Sequence, residues 1–139
     1  MLACNKDSYA GDWRMTDSMK SSFLGFAIGC VVAKALLRDW MKYANGNSYY
    51  GEFRKGNRHG FGIGLWKDGS INDGAVYVGQ WRDNKKEDEG VYFYPDGSRY
   101  QGPWKGGQEH GVGVFTYAGK KEKILYENGV PKHVLETLN

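Results

Sequence analysis

The chain has 139 residues, with 21 glycines, 10 tyrosines and only 3 prolines. This length suffices for one domain with a hydrophobic core, and the glycine and aromatic content favours short strands joined by tight turns. Residues 1–43 carry six basic and four acidic side chains, and residues 44–139 carry thirteen and twelve. Neither part has the excess of positive charge typical of nucleic-acid binding, so no nucleic-acid partner is expected.

The two cysteines, Cys4 and Cys30, lie in dissimilar surroundings, and Cys30 is part of an apolar run. A disulfide framework is therefore not expected, which favours a reducing, intracellular compartment.

Residues 1–43 form an N-terminal segment around the apolar stretch SSFLGFAIGCVVAKALL, residues 21–37, in which only Lys34 is charged. As a helix, these 17 residues would be about 25 Å long, slightly short of a hydrocarbon core of about 30 Å. Gly25, Gly29 and Ala33 recur every four residues, a pattern that lets helices approach closely. The sequence predicts one apolar helix over about 21–38, with these small residues as its packing face.

Three interpretations of this helix stay open. It spans a membrane, or it folds back and covers the aromatic face of the sheet described below, since an extended leg over 14–22 reaches about 30 Å. The third interpretation, a removable targeting segment, fits poorly because the preceding residues include Asp7, Asp12 and Asp17.

The rest of the chain, residues 44–139, contains internal repeats that begin with aromatic-x-Gly-x-aromatic. The second and third copies are offset by 23 residues and the first and second by 28, because five residues, 71–75, are inserted at a turn. A degenerate copy follows, in which Tyr126 takes the second aromatic position and Asn128-Gly129 the turn. The predicted units are 49–70, 77–98, 100–119 and 120–133. A partial first unit begins at Tyr9, is interrupted by the apolar stretch, and ends at Tyr43-Ala-Asn-Gly46.

Each unit is predicted to be a β-hairpin. Residues two apart on a strand share a face, so the glycine of each aromatic-x-Gly-x-aromatic motif leaves a notch between two rings. The predicted hairpin turns contain Gly56, Asn84 or Gly107, and an Asp-Gly pair follows the second strand of the first two units. Edge-to-edge stacking gives a mainly β fold, an elongated antiparallel sheet with one N-terminal apolar helix.

The pattern Tyr-x-Gly-x-Trp/Phe-x-x-Gly-x-x-His-Gly-x-Gly, closed by Asp-Gly, resembles the MORN repeat family (membrane occupation and recognition nexus) over residues 49–119. The resemblance implies a grooved sheet that serves as a scaffold in cytoskeletal, ciliary or membrane-junction settings, without catalysis. The second copy departs from the pattern, because Glu87-Asp88 replace His-Gly and Asn84 replaces glycine. A ligand shared by all the turns is therefore not expected.

The aromatic side chains form the main candidate interaction site. They are too numerous for one thin sheet to bury, which predicts a cover: the helix of 21–38, a partner's helix or a second copy. The alternative is that the rings pack on one another. The predicted groove consists of Tyr49, Phe53, Trp66, Tyr77, Trp81, Tyr94, Tyr100, Trp104 and Tyr117.

Other candidate sites are weaker. Arg54, Lys55 and Arg58 could hold an anionic lipid headgroup, or they form a solvated hairpin end. The phosphate-loop order GxxxxGK[ST] is absent from the sequence. His59 and His110 occupy the same repeat position, as structural residues would, and no cysteine lies near them to complete a zinc site. We expect no catalytic residue, cofactor or metal, and no small-molecule substrate.

These features predict a non-enzymatic scaffold or accessory subunit of a membrane-associated multiprotein complex, with other subunits as partners. A respiratory assembly of the mitochondrial inner membrane is one candidate setting. The alternatives are a soluble cytoskeletal or ciliary adaptor in the cytoplasm or cilium, whose groove binds a partner helix, and a peripheral module that binds anionic lipid.

Overall fold

The computed structural model describes residues 39–138, which form a single antiparallel sheet of ten strands. Their order across the sheet follows the chain, except that short β7 pairs with β6 beside β8. The strands are β1 (Asp39–Lys42), β2 (Ser48–Arg54), β3 (Asn57–Leu65), β4 (Val76–Arg82), β5 (Lys85–Phe93), β6 (Arg99–Lys105), β7 (Gln108–Glu109), β8 (Gly111–Tyr117), β9 (Lys120–Glu127) and β10 (Val130–Leu138).

The predicted sheet of stacked hairpins is confirmed over this range. The sheet includes β1, so it begins four residues before the boundary at 43 suggested by the sequence. Residues 39–138 contain no helix that could cross a membrane. The predicted helix over 21–38, with Gly25, Gly29 and Ala33, lies outside the described residues.

Five hairpin turns have two residues each, and both residues have positive φ angles, as type I′ turns require. The first residue of each turn has φ between 46° and 58°, and the second has φ between 68° and 91°. The pairs are Lys55-Gly56, Asp83-Asn84, Gly106-Gly107, Ala118-Gly119 and Asn128-Gly129. Gly56, Asn84 and Gly107 therefore lie at turns, as predicted.

The connections between units are turns closed by glycine. Gly97 donates its N–H to the carbonyl of Tyr94 at 3.0 Å, and Gly46 does the same to Tyr43 at 3.0 Å. Tyr43–Gly46 thus closes a unit in the same way as Tyr94–Gly97, as expected for the end of the predicted partial first unit. Asp96 Oδ1 accepts hydrogen bonds from Ser98 N at 2.9 Å and Ser98 Oγ at 2.6 Å, which hold the pKa of Asp96 below its ordinary value.

Each of the first three units has a β-bulge in its second strand. In the first unit, Gly51 pairs with Gly62 but Phe53 pairs with Arg58, so three residues of β3 lie opposite one residue of β2. The central bulge residue has φ of 69° at Gly60, 55° at Asp88 and 93° at Gly111. Asp88 tolerates this conformation because its side chain is short and polar. The departure from His-Gly in the second unit therefore preserves the bulge.

The sheet has a different hydrophobic cluster on each face. The aromatic face carries the buried tyrosines and tryptophans together with Ile124. The opposite face, here called the aliphatic face, has a cluster made of Tyr50, Phe61, Ile63, Leu65, Val76, Val78, Val91 and Phe93.

Candidate functional site: the aromatic face

Three equivalent tyrosines form the base of the aromatic face. Tyr49, Tyr77 and Tyr100 are fully buried, and each lies over two glycines that face each other on adjacent strands. A Cβ atom built on Gly90 would collide with the hydroxyl oxygen of Tyr77. Each tyrosine hydroxyl donates to a backbone carbonyl three residues along the chain, at 2.8–2.9 Å. The predicted glycine notches are thus filled by each unit's own tyrosine.

Two tryptophans connect successive tyrosines. The Trp81 ring lies between Tyr49 and Tyr77, with centroid distances of 5.3 and 5.1 Å, and Trp104 lies between Tyr77 and Tyr100 at 5.3 Å from each. All four contacts are edge-to-face, the arrangement that aromatic quadrupoles favour. The indole N–H of Trp81 donates to the Gly62 carbonyl at 3.2 Å, and that of Trp104 to the Gly90 carbonyl at 3.3 Å.

These contacts join the units into one row of rings, here called the inner ladder. Phe53 contacts Tyr49 at 5.0 Å at one end, and Tyr126 contacts Tyr100 at 5.0 Å at the other. In order, the inner ladder is Phe53, Tyr49, Trp81, Tyr77, Trp104, Tyr100 and Tyr126. Tyr126 therefore occupies the second aromatic position of the fourth unit, as predicted.

Only some of the residues predicted to form the groove are exposed enough to contact a partner. Five of its nine rings are at most 4% exposed, and these are Tyr49, Tyr77, Trp81, Tyr100 and Trp104. The rings lie on glycine backbone and on each other, so a single thin sheet buries these five rings without a covering layer from residues 39–138. Phe53, Trp66 and Tyr94 are half-buried and Tyr117 is 37% exposed. A partner could reach these four.

A second set of rings, here called the outer layer, covers part of the inner ladder. The outer layer consists of Tyr43, Trp66 and Tyr94, which follow the second strands of successive units. They are partly exposed and pack against the buried side chains of the aromatic face. Near these rings lie three charged side chains that share one repeat position. Each is paired across its hairpin with the second aromatic residue of the unit: Arg58 with Phe53, Lys86 with Trp81 and Glu109 with Trp104.

Lys86 is enclosed by aromatic rings. Its Nζ lies 4.3 Å from the ring centroid of Tyr92, 4.4 Å from Trp104, 5.3 Å from Trp66 and 5.6 Å from Tyr77. These distances are those of cation–π contacts. Burial lowers the pKa of Lys86 to about 8, although the carboxylate of Glu109 opposes the shift.

Arg58 and Glu109 complete the charged row. The Arg58 guanidinium carbon lies 4.7 Å from the centroid of the Trp81 ring, and its Nη2 donates to the Asn84 carbonyl at 3.0 Å. The Tyr94 hydroxyl donates to Glu109 at 2.8 Å, and burial together with this carboxylate raises the pKa of Tyr94. Each contact joins one unit to the next.

The predicted lipid-binding residues are not equivalent in the structure. Arg58 is engaged with Trp81 and Asn84, whereas Arg54 and Lys55 are exposed at the hairpin end. Arg58 is thus engaged within the repeat array, and binding of an anionic lipid headgroup by Arg54, Lys55 and Arg58 stays a prediction.

The two repeat histidines contact the turn of the following unit. His59 Nδ1 lies 3.9 Å from Asp83 Oδ1, and His110 Nδ1 accepts the N–H of Asn128 at 3.4 Å. Over residues 39–138, no group of three or more His, Cys, Asp or Glu side chains could hold a metal ion. The geometry supports a structural role for both histidines.

Lys86 and Glu109 are not among the candidates that the repeat pattern predicts. Their signal is present in the sequence, since aligning the units places Arg58, Lys86 and Glu109 in one column. This repeat position holds two basic residues and one acidic residue, so the sequence alone indicates no shared role for them. The shared role becomes visible only when the rings around them are located.

The protein is built of stacked hairpin repeats. Its hairpins have type I′ turns, its buried tyrosines lie on glycines, and one row of rings connects the units. The family model of the MORN repeat matches three consecutive segments, residues 49–71, 77–99 and 100–120. The chain therefore belongs to the MORN repeat family. Repeats of this family indicate a module for protein interaction or membrane binding. No curated protein matches the chain.

Proposed function

We propose that this chain is a non-catalytic scaffold that binds protein partners through the outer layer of its aromatic face, within a membrane-associated assembly. The observation that carries the proposal is the partial exposure of Trp66 and Tyr94 in the outer layer and of Tyr117 on β8. The five central rings of the inner ladder, in contrast, are at most 4% exposed. Aromatic side chains held on a rigid support lose little entropy on binding and are enriched at the centres of protein interfaces.

The charged row favours a particular kind of partner. Arg58 and Lys86 place two cations between the rings, and Glu109 lies at one end. A partner segment with apolar anchors and acidic side chains would complement this surface, and an amphipathic helix supplies both at helical spacing.

The test compares partner retention by matched variants. The native assembly is purified through a tag on the wild-type chain, and the same purification is repeated with Trp66→Ala, Tyr94→Phe and Tyr117→Ala. The control is Ile71→Ser, at a side chain that is 93% exposed in a connection between units. We expect Trp66→Ala and Tyr117→Ala to lose partners at least tenfold, equivalent to about 1.4 kcal/mol of binding free energy. Full retention by a folded triple variant would contradict the proposal.

Membrane association is tested separately by carbonate extraction of native membranes. Resistance to extraction would show that the chain is embedded, and release together with its partners would show that protein contacts hold it at the membrane. Recovery only in the cytosolic or ciliary fraction would favour the adaptor hypothesis. The respiratory-assembly setting stays a prediction, which fractionation of mitochondria checks.

A further inference from the structure

The aliphatic face is a compact apolar surface on the side of the sheet opposite the rings. One row runs across four strands through paired residues, Tyr50, Ile63, Val78 and Val91. A second row contains Leu65, Val76 and Phe93, which are also paired. The two rows form a continuous patch on β2–β5.

The patch ends sharply towards the C-terminus. The first row continues through Gln101 to Val114 and Lys123, and the second continues through Arg99 to Thr116 and Lys121. Apolar side chains therefore give way to mostly polar and charged ones after β5. On the other side the patch extends to β1, where the Trp40 ring stacks on Tyr50 with 6.1 Å between centroids.

An apolar sheet face needs a second layer. The central side chains of this face are at most 8% exposed, yet all the strands of residues 39–138 belong to one sheet, and that range contains no helix. A second layer over this face would therefore come from outside residues 39–138.

The apolar stretch of residues 21–37 has the right size and composition for this layer. The patch covers five strands including β1, which is about 19 Å between the outer strand axes at about 4.8 Å per strand. The 17 residues would form a helix of about 25 Å. Only Lys34 is charged in this stretch, so most of its surface is suited to an apolar contact.

Chain connectivity joins this stretch to β1, the edge strand that borders the patch. Residue 37 is separated by a single residue from Asp39, which begins β1 and pairs with Gly51 of β2. A segment tethered this closely meets the face at a high effective concentration. An untethered partner helix lacks this advantage.

We propose that residues 21–37 dock as a helix on the aliphatic face, over β1–β5. The inference is independent of the proposed function, and it leaves the aromatic face accessible to a partner. It differs from the prediction that this helix covers the rings, because the rings are already packed against glycine backbone and each other.

The test uses Cys30, at the middle of the stretch, as a cross-linking point in the full chain with Cys4→Ser. A second cysteine is introduced singly on the aliphatic face at Ile63, Val78 or Val91, or, as matched controls, on the aromatic face at Trp66 or Tyr117. The reagent is a bifunctional maleimide about as long as a helix is wide, about 10 Å. We expect cross-linking within one chain for at least one aliphatic position and for neither control.

Three results would overturn the proposal: cross-linking to the aromatic face, cross-linking only between two chains, or none at any aliphatic position. Because a cysteine variant could fail to fold, hydrogen exchange on the unaltered chain in detergent-free buffer provides a second measurement. We expect the amides of residues 21–37 to be protected along with those of β3 and β4. Rapid exchange throughout residues 21–37 would also contradict docking.

Discussion

Gly90 is required because it has no side chain, and not because of its backbone conformation. Its φ lies outside the left-handed region, and the space where a side chain would begin is occupied by Tyr77. The backbone of Gly90 also lies close to the paired Gly79, since a Cβ atom on Gly79 would collide with the Cα of Gly90. The two strands therefore have little room to shift. We predict that Gly90→Ala lowers the free energy of unfolding by about 3 kcal/mol, the upper part of the usual range for overpacking, measured by urea denaturation.

The matched control is Gly69→Asn. Gly69 has a φ of 72° in a turn with nothing within 4 Å of its would-be Cβ, and asparagine tolerates this region. We expect a change of less than about 1 kcal/mol, as for most surface substitutions away from special features. Equal losses for the two variants would show that glycine flexibility, and not the tyrosine contact, is what matters.

Lys86 gives the protein a distinctive dependence on pH. Burial lowers its pKa to about 8 in the fold, from 10.5 in the unfolded chain. Between these values the unfolded chain binds more protons, so stability rises with pH. We predict that the urea midpoint of the wild type rises from pH 8 to about 9, and that its midpoint relative to that of Lys86→Met keeps rising to about pH 10. Lys85→Met, at an exposed neighbour, should leave this rise unchanged.

From about pH 9 the buried tyrosines lower the stability of both proteins as pH rises, because their hydroxyls begin to ionise in the unfolded chain. Burial raises the pKa of Tyr92 to about 12, against 10.0 in the unfolded chain, and also raises that of Tyr77. The unfolded chain therefore loses these protons first, and stability falls as pH rises. A midpoint difference between wild type and Lys86→Met that stays constant from about pH 8 to 10 would mean that Lys86 is not desolvated as the geometry implies.

At the scale of the hairpin, Asn84 both adopts the left-handed conformation of the turn and forms side-chain hydrogen bonds to the preceding hairpin, which a glycine could not form. It adopts a φ of 68° in the turn, and its Oδ1 accepts the N–H of Arg58 at 2.9 Å while its Nδ2 donates to Asn57 at 2.9 Å. The second hairpin is thereby bonded to the first. The exception to the repeat consensus at this position thus strengthens the contact between units.

We predict a graded series at this turn, measured by thermal or urea unfolding. Asn84→Gly keeps the turn but loses the side-chain bonds, at a cost of about 1–2 kcal/mol. Asn84→Ala loses the bonds and also strains the left-handed backbone, which adds about 1–2 kcal/mol. An alanine variant as stable as the glycine variant would argue against a strained turn.

The hairpins could be predicted from the sequence because their signals are local. Two-residue turns at Lys55-Gly56 and Asn128-Gly129, and the spacing of Tyr77, Gly79 and Trp81, each depend on a few neighbouring residues. The enclosure of Lys86 could not be predicted, since its four rings come from β4, β5, β6 and the connection after β3. The bulges could not be predicted either, because alternation of faces along a strand gives no sign of where an extra residue enters.

Across the whole molecule, stability should depend on position within the inner ladder. In a stacked array each unit contacts only its neighbours, so a defect in the middle affects two interfaces. Trp104 is 4% exposed and touches rings of two units, whereas Phe53 is half-buried at the end of the ladder. We predict that Trp104→Ala costs about 3–5 kcal/mol, typical of a large buried ring, and that Phe53→Ala costs less.

Urea denaturation followed by hydrogen exchange distinguishes the two variants. The tryptophan variant should lose amide protection in the strands on both sides of the substitution, whereas the phenylalanine variant should lose it mainly in β2 and β3. Uniform loss of protection in both variants would indicate a single cooperative unit without positional differences.

The indole hydrogen bonds give the array a direction. Trp81 and Trp104 each donate to a glycine carbonyl of the unit before them, so a unit that carries tryptophan at this position needs a unit in front of it. The unit of residues 49–70 has Phe53 and the degenerate unit of residues 120–133 has Tyr126 at this position, and neither ring carries an indole donor. A duplicate of residues 77–99 should therefore be accepted wherever another repeat precedes it, because a glycine carbonyl of that repeat would accept its indole N–H.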